Sequence, residues 1–372
     1  MEKDSLGGWH LELKGIKPGT KYIYRLENKK ELPDPASYFQ SEGVFGPSET
    51  VKHSKKGERY ELKAPELHKM IIYEMHIGTF TKDGTFDSAL KKIDYLKKLG
   101  INAVELMPVA QFSGSKNWGY DGVFPYAVQN TYGGPAGLKR FIKECHKKGI
   151  AVILDVVYNH LGPEGCVLHE FMPIFTDKYH TPWGKAVNFD DAYSHGVREY
   201  FIQNALYWLE CFNIDVLRLD AVHGIFDMGA KHILRELSER VDDLSLKNGK
   251  KYYLIAESDL NDIRLVKPFS EGGFGLDAQW NDDFHHSLHA LLTGEKDGYY
   301  EDFGKAGHLA KAVREGFVYS GNFSKFRKKY HGSSSKDVPS GKMVVFSQNH
   351  DQTGNRMKGE RLSSLAGYEG IK

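Results

Sequence analysis

"IDVLRLDAV", residues 214–222, has the composition of a buried strand, yet it carries Arg218 and Asp220 two positions apart. Side chains on a strand alternate between faces. Ile214, Val216, Arg218 and Asp220 therefore share one side, and Leu217 and Leu219 share the other. An isolated charge inside a protein is very costly. If the leucines meet a layer of helices, Arg218 and Asp220 look inward as a pair, and the neighbouring cation would keep the carboxylate ionised. Taken alone, the pair reads as readily as a structural ion pair as part of a site.

The surrounding sequence gives this strand its context. From residue 70 onward, apolar strand-like runs alternate with amphipathic segments of helical period. The strands are "MIIYEMHIGTF" (70–80), "INAVELMPV" (101–109), "IAVILDVVYNH" (150–160), "IDVLRLDAV", "YYLIAES" (252–258), "LDAQW" (276–280) and "MVVFSQN" (343–349). Helices are expected over 85–100, 137–149, 195–212, 230–241 and 284–292, the first two closed by glycine. Near-continuous apolar strands alternating with helices mean a parallel sheet covered by helices. A doubly wound sheet and a (β/α)8 TIM barrel both fit. No GxGxxG follows the first strand and no GxxxxGK[ST] occurs anywhere, so nucleotide-binding folds lose weight. Polar clusters recur at the C-terminal ends of the strands, where barrels carry their sites, and this favours the barrel. Seven strands are expected where a closed barrel has eight. Before residue 70, "WHLEL" and "KYIYRL" around "KPGT" predict a hairpin over 9–26, followed by a Pro/Gly-rich loop. The α/β chain thus divides into 1–69, a partial β-domain with a linker, and 70–372, an incomplete barrel with a long loop insertion at about 161–192.

Composition narrows the class of function. Formal net charge is +1, so no bulk field draws the chain to nucleic acid. No apolar run reaches membrane-spanning length. The three cysteines, Cys145, Cys166 and Cys211, are dispersed. That argues against a disulfide framework or a metal-ligand pattern and fits a reducing, cytoplasmic compartment. The 21 Tyr, 21 Phe and 5 Trp supply core packing or stacking platforms for sugars.

Four strand ends carry the chemistry: "DVVYNH" (155–160), "LRLDAVH" (217–223), "IAESD" (255–259) and "FSQNHDQTGNR" (346–356). They supply three carboxylates, Asp220, Glu257 and Asp351, and two histidines, His160 and His350. Each reads singly as a loop, cap or surface residue. Five such residues at four strand ends point to one site. Glu257 has apolar neighbours on both sides, an environment that raises a carboxyl pKa and suits a general acid. No HxH or HExxH pattern is present, so a metal is not expected. "HHSLH" (285–289) reads as a solvated or packed helix face.

In order and spacing, the four segments resemble the four short conserved regions of the α-amylase family of glycoside hydrolases. The resemblance implies a (β/α)8 barrel with Asp220 as nucleophile, Glu257 as acid/base and Asp351 as transition-state stabiliser. It implies substrate contacts at His160 and His350, and an orienting role for Arg218. "NWGYD" (117–121) is similar to the segment whose tyrosine, here Tyr120, stacks under the sugar being cleaved. The start of the chain is similar to the end of an N-terminal β-sandwich. Branching enzymes of the family carry two acidic residues and then Ser-Thr at the fifth strand, and His-Asp-Glu at the seventh. Here the residues are Ala256-Glu257-Ser258-Asp259 and His350-Asp351-Gln352, which resembles the trehalose-releasing members instead. The insertion at 161–192 lacks a carboxylate-rich loop, so calcium is not implied, and no cofactor is expected. The implied reaction is retaining hydrolysis of the α-1,4 bond beside a terminal trehalose unit, with malto-oligosyltrehalose or a related α-glucan as substrate. The alternatives are a branching or amylase-type enzyme, and a carbohydrate-binding protein with an inactive barrel. An open barrel leaves strand edges unpaired, so lower stability and impaired activity are expected of this chain.

Overall fold

The computed structural model describes residues 1–52 and 64–372. Seven parallel strands form one sheet: β1 (Ile72–Met75), β2 (Ala103–Leu106), β3 (Ala151–Val156), β4 (Val216–Leu219), β5 (Tyr253–Ala256), β6 (Ala278–Trp280) and β7 (Met343–Val344). They lie in unbroken chain order, each hydrogen-bonded to the next. Every expected strand is present, shortened to the residues that pair.

Helices fill the crossovers. Three short helices follow β1: Ile77–Phe80, at the end of the run expected as strand, then α1 (Phe86–Leu90) and α2 (Ile93–Lys98); α3 (Gly134–Lys147) follows β2. Next come α4 (Ser194–Cys211), α5 (Ile233–Asn248), and α6 (Asp282–Thr293) with α7 (Ala306–Glu315). α8 (His350–Gly354) and α9 (Leu362–Ile371) end the chain. Between β5 and β6 only short 3-10 turns intervene. The continuous helix expected over 85–100 is split at Lys91 and Lys92, after a capping box that Thr85 and Ser88 build.

Alternation along the strands separates two cores. Val104, Leu106, Val152, Leu154, Leu217, Leu219 and Leu254 pack outward against the helices. Ala103, Ala151, Ile153, Val216, Ile255, Ala278 and Trp280 pack inward. Val216 therefore points inside and the two leucines outside, as the sequence of β4 requires. β1 and β7 do not pair with each other, and a cavity of about 930 Å³ opens between them, lined by Ile72, Glu74, Glu105, Met343, Val344 and Phe346 among others.

The region before β1 departs from expectation. No hairpin spans 9–26. Trp9–His10 pairs instead with Glu2–Lys3, Lys21–Tyr22 with Ser48–Glu49, and Tyr24–Arg25 with Glu31–Leu32. The local turn wins because the Asp4 carboxylate accepts from the amides of Leu6 and Gly8, at 2.9 and 2.7 Å, and folds 4–8 back on itself. Leu11 and Leu13 are left exposed. The segment leans on the barrel where the Tyr200 hydroxyl donates to the carbonyl of Pro35 at 2.7 Å. Residues 53–63, which hold most of the expected linker, lie outside the described residues. The 161–192 insertion contains an antiparallel hairpin, Phe175–Thr181 with Gly184–Val187, that its irregular sequence did not suggest. Among the described residues no helix is long and apolar enough to cross a membrane.

Candidate active site

The C-terminal ends of β3, β4 and β5 converge on Arg218. Its side chain is fully buried, and Nη1 donates to Asp155 Oδ2 and to Asp220 Oδ1, each at 2.7 Å. Nη2 lies 3.8 Å from Glu257 Oε2. The guanidinium sits over the Trp280 ring, 4.4 Å from its centroid. Asp155 and Arg218 are register partners on adjacent strands, so the sheet itself puts the pair together. The arrangement compensates the charge of a buried cation with anions and an aromatic face, although Nε and Nη2 donate to no acceptor among the described residues.

Asp220 and Glu257 are thereby brought to one place. A backbone hydrogen bond also links them. Ala221, directly after Asp220, adopts φ 36° and ψ 52° and turns its amide to donate to Glu257 Oε2 at 2.5 Å. An alanine in that left-handed region costs about 1–3 kcal/mol, an expense found at functional turns. Burial pushes the Glu257 carboxyl well above the usual carboxylate range. Asp220, Asp282 and Asp351 add to the effect, while Arg218 opposes it. The carboxyl is thus protonated where an exposed glutamate is not, as its apolar flanks suggested.

A second chain of contacts reaches β1 and β7. The Tyr120 hydroxyl donates to Asp155 Oδ2 at 2.8 Å and lies 2.8 Å from His350 Nε2. His350 Nδ1 is 2.6 Å from Glu74 Oε1, and its backbone amide donates to Glu74 Oε2 at 2.6 Å. A hydroxyl has one proton to give. With Tyr120 donating to Asp155, His350 donates through both ring nitrogens and is an imidazolium. Burial works against that charge, but the Glu74 carboxylate outweighs it and the His350 pKa is raised. Burial also lifts Asp155, which Arg218 pulls back, to about 6.

Tyr120 is set by its own segment. Asn117 Oδ1 accepts from the Gly119 amide at 2.8 Å and Asn117 Nδ2 donates to Asp121 at 2.6 Å. Gly119 has φ 105°, and a Cβ there would lie 2.1 Å from the Pro108 carbonyl, so only glycine fits. The Tyr120 ring stacks on His350 at 5.1 Å. His160 donates from Nε2 to the Tyr120 carbonyl at 3.0 Å, and burial lowers its pKa, leaving a neutral ring. Trp183, at the tip of the insertion hairpin, stacks on His160 at 5.5 Å and 11°. Beside them lies a cavity of about 460 Å³.

Asp351 stands apart from the Arg218 cluster. Its carboxylate is 45% exposed and reaches His350 Nε2 only at 3.5 Å, though it is close enough to Glu257 to add to that group's shift. Arg218 thus gathers Asp220 and Glu257, Tyr120 and His350 join it through Asp155, His160 meets the Tyr120 carbonyl, and Asp351 reaches only as far as His350. The sequence reading passed over Asp155, Glu74, Glu105 and Trp280 as site residues. Three of them carry the signal that drew attention to Arg218, a charge on the inward face of an apolar strand. Among the described residues no group of three or more His, Cys, Asp or Glu side chains is arranged to hold a metal.

Comparison with known proteins agrees with the geometry. A model of the α-amylase catalytic domain matches residues 52–174. A Salmonella typhimurium crystal structure, provisionally assigned as an α-amylase, superposes with a TM-score of 0.89 at 41% identity, over 96% of this chain and 61% of that one. An Anoxybacillus pullulanase shares the fold, with a TM-score of 0.62 at 20% identity over 89% of this chain and 52% of that one. The fold is that of an α-amylase catalytic barrel. In sequence, the chain is similar to proteins named malto-oligosyltrehalose trehalohydrolase. It is 49% identical to that of Saccharolobus solfataricus over 100% of this chain and 65% of that protein. It is 44% identical to that of Arthrobacter ramosus over 99% of this chain and 64% of that protein. The chain thus spans just under two thirds of the length of these relatives. A branching enzyme of Pseudoalteromonas atlantica is more distant, at 28% identity over 86% of this chain and 49% of that protein.

Proposed function

We propose that the site belongs to a retaining glycoside hydrolase that cleaves the α-1,4 bond beside the terminal trehalose unit of malto-oligosyltrehalose and releases trehalose. The observation that carries this reading is Arg218, which gathers Asp220 and Glu257 while burial keeps the Glu257 carboxyl protonated. A retaining mechanism needs one carboxylate to attack and one carboxylic acid to protonate, about 5–5.5 Å apart.

Glu257 gives its proton to the glycosidic oxygen as the C–O bond breaks, and Asp220 forms a bond to the anomeric carbon. Water then attacks that carbon, Glu257 takes the water's proton, and the Asp220 ester bond breaks. Asp351 stabilises the oxocarbenium-like sugar electrostatically. Arg218 aims Asp220, Tyr120 offers a face to the sugar, and His350 and His160 contact its hydroxyls. We assign residues 1–69 to an N-terminal module and 70–372 to the catalytic barrel, and we place the protein in the cytoplasm.

The test is product analysis on maltosyltrehalose. Free trehalose and maltose are expected, and Asp220→Asn should abolish their formation. New α-1,6 branches, or random internal cleavage of linear glucan without trehalose release, would instead support the branching or amylase-type readings.

A further inference from the structure

The "HHSLH" face of α6 and the turn that follows it play no part in the steps above, yet they are tied to Asp351. His285, His286 and His289 are all buried rather than solvated. His289 stacks on Tyr300, and its Nε2 lies 2.7 Å from Glu295 Oε2. Glu295 in turn accepts from both terminal nitrogens of Arg356, at 2.9 and 2.8 Å. This fork-to-fork pairing fixes direction as well as distance. It also holds the Glu295 carboxyl down at about 2.

Arg356 lies one turn beyond Asp351. The Asn355 amide donates to the Asp351 carbonyl at 3.0 Å, and the Arg356 amide to the Thr353 carbonyl at 3.3 Å. Among the described residues the Asp351 carboxylate has only distant partners, His350 Nε2 and Asn355 Nδ2, both at 3.5 Å. Its aim is therefore set by the backbone of 349–356. On the near side that backbone is pinned by Asn349, which caps α8, and by His350 on Glu74. On the far side the close pin is Arg356 on Glu295, with Glu360 further away at 3.5 Å. His285 stacks on Phe346 at 5.3 Å, so α6 bears on this segment at both ends.

We infer that Glu295, seated on His289, is a positioning residue that acts through Arg356 to hold the backbone that aims Asp351 at the reacting sugar. The inference rests on the role proposed for Asp351 above. A charge displaced by about 1 Å costs roughly 100-fold in rate without loosening the substrate subsites. The signature is a fall in kcat at nearly constant KM.

The experiment measures kcat and KM on maltosyltrehalose, with thermal midpoints, for the full chain and for Glu295→Gln, Arg356→Gln, the double variant, Arg356→Lys and Asp351→Asn. Expected for Glu295→Gln and Arg356→Gln is a kcat loss of roughly 10- to 100-fold with KM within about twofold. The double variant should lose no more than either single one, because the two residues act as a unit. Arg356→Lys keeps the charge but not the fork and should recover part of the rate. If either glutamine variant fails to fold, the lysine variant decides, and its full wild-type kcat would overturn the inference. Unchanged kcat in Glu295→Gln, additive losses, or a rise in KM alone would also overturn it. If Asp351→Asn abolishes turnover while Glu295→Gln retains it, this inference fails and the proposed function stands. If Asp351→Asn retains turnover, both fail.

Discussion

Glu257 and Asp220 hang on one guanidinium at unequal distance, 3.8 Å against 2.7 Å, and the difference suits the different work proposed for them. The Asp220 carboxylate is bonded to Arg218, whereas burial dominates at Glu257 and holds its proton into a range where ordinary glutamates have lost theirs. The sign follows from the acid role. With Glu257 as the proposed acid, activity would need its protonated form, so kcat/KM should fall as pH rises through its elevated pKa, giving an alkaline limb well above the carboxylate range. His350 also loses a proton on the alkaline side, and the substrate separates the two. A glucan leaving group needs protonation, while an activated aryl leaving group does not. The limb is expected with malto-oligosyltrehalose and should be nearly flat with an activated aryl α-glucoside, measured as kcat/KM from pH 5 to 9. An equal limb on both substrates would assign it to His350. At this scale the sequence was legible wherever a charge interrupted an apolar strand. Arg218 was readable on that ground, and Asp155 and Glu74 carry the same mark inside "IAVILDVVYNH" and "MIIYEMHIGTF". Their partners were not readable, because His350 joins Glu74 only once β7 and β1 stand at the two edges of one sheet.

At the scale of elements, the strand that carries Arg218 at its top is anchored at its bottom by another charge. Asp215 is fully buried on the outward side of β4. It accepts from the Val152 amide of β3 at 2.9 Å, meets His146 of α3 at 2.8 Å, and pairs with Lys250 ahead of β5 at 2.8 Å. Burial alone would raise its pKa, but His146 and Lys250 outweigh it and the net shift is downward from 3.8. A depressed carboxyl stabilises the fold above its unfolded pKa, and that contribution is lost as pH falls through the lower folded value. Asp215→Asn should destabilise by about 3–5 kcal/mol at neutral pH, the cost of breaking a buried ion pair. It should also flatten the acid side of the stability curve. Urea denaturation at pH 7 and pH 3 measures both, and a loss equal at the two pH values would show that the charge contributes nothing. Long periodic elements such as α3 and α5 were readable because their apolar faces repeat. The 9–26 hairpin was not, because its alternation of Trp9, Leu11 and Leu13 matched a strand while the Asp4 turn supplied a nearer partner. The sequence could not separate surface from core for the histidines of α6, since imidazole fits either until Tyr299, Tyr300 and Phe346 are seen around it.

At the scale of the molecule, the seven-stranded sheet has two edges, β1 and β7, with no further strand partner among the described residues, and its stability should be graded from one edge to the other. β3, β4 and β5 have a hydrogen-bonded neighbour on each side and are covered by helices. β7 pairs on one side only, consists of two half-buried residues and borders the 930 Å³ cavity that separates it from β1. Backbone amides open by local fluctuation where few buried contacts hold them, and only by global unfolding in the core. Hydrogen exchange followed by mass spectrometry should therefore find peptides over 151–156, 216–219 and 253–256 the slowest to exchange and those over 343–346 among the fastest. β1 should be intermediate, because Glu74 still ties it to His350 across the cleft. This gradient bears on function, since Asp351 and His350 follow directly after the least protected strand, while Asp220 and Glu257 follow the most protected ones. Malto-oligosyltrehalose bound across the cleft would contact both sets, so its addition should slow exchange over 343–356 far more than over 216–222. Equal protection of all seven strands without ligand would mean that β1 and β7 are held by contacts other than those between strands.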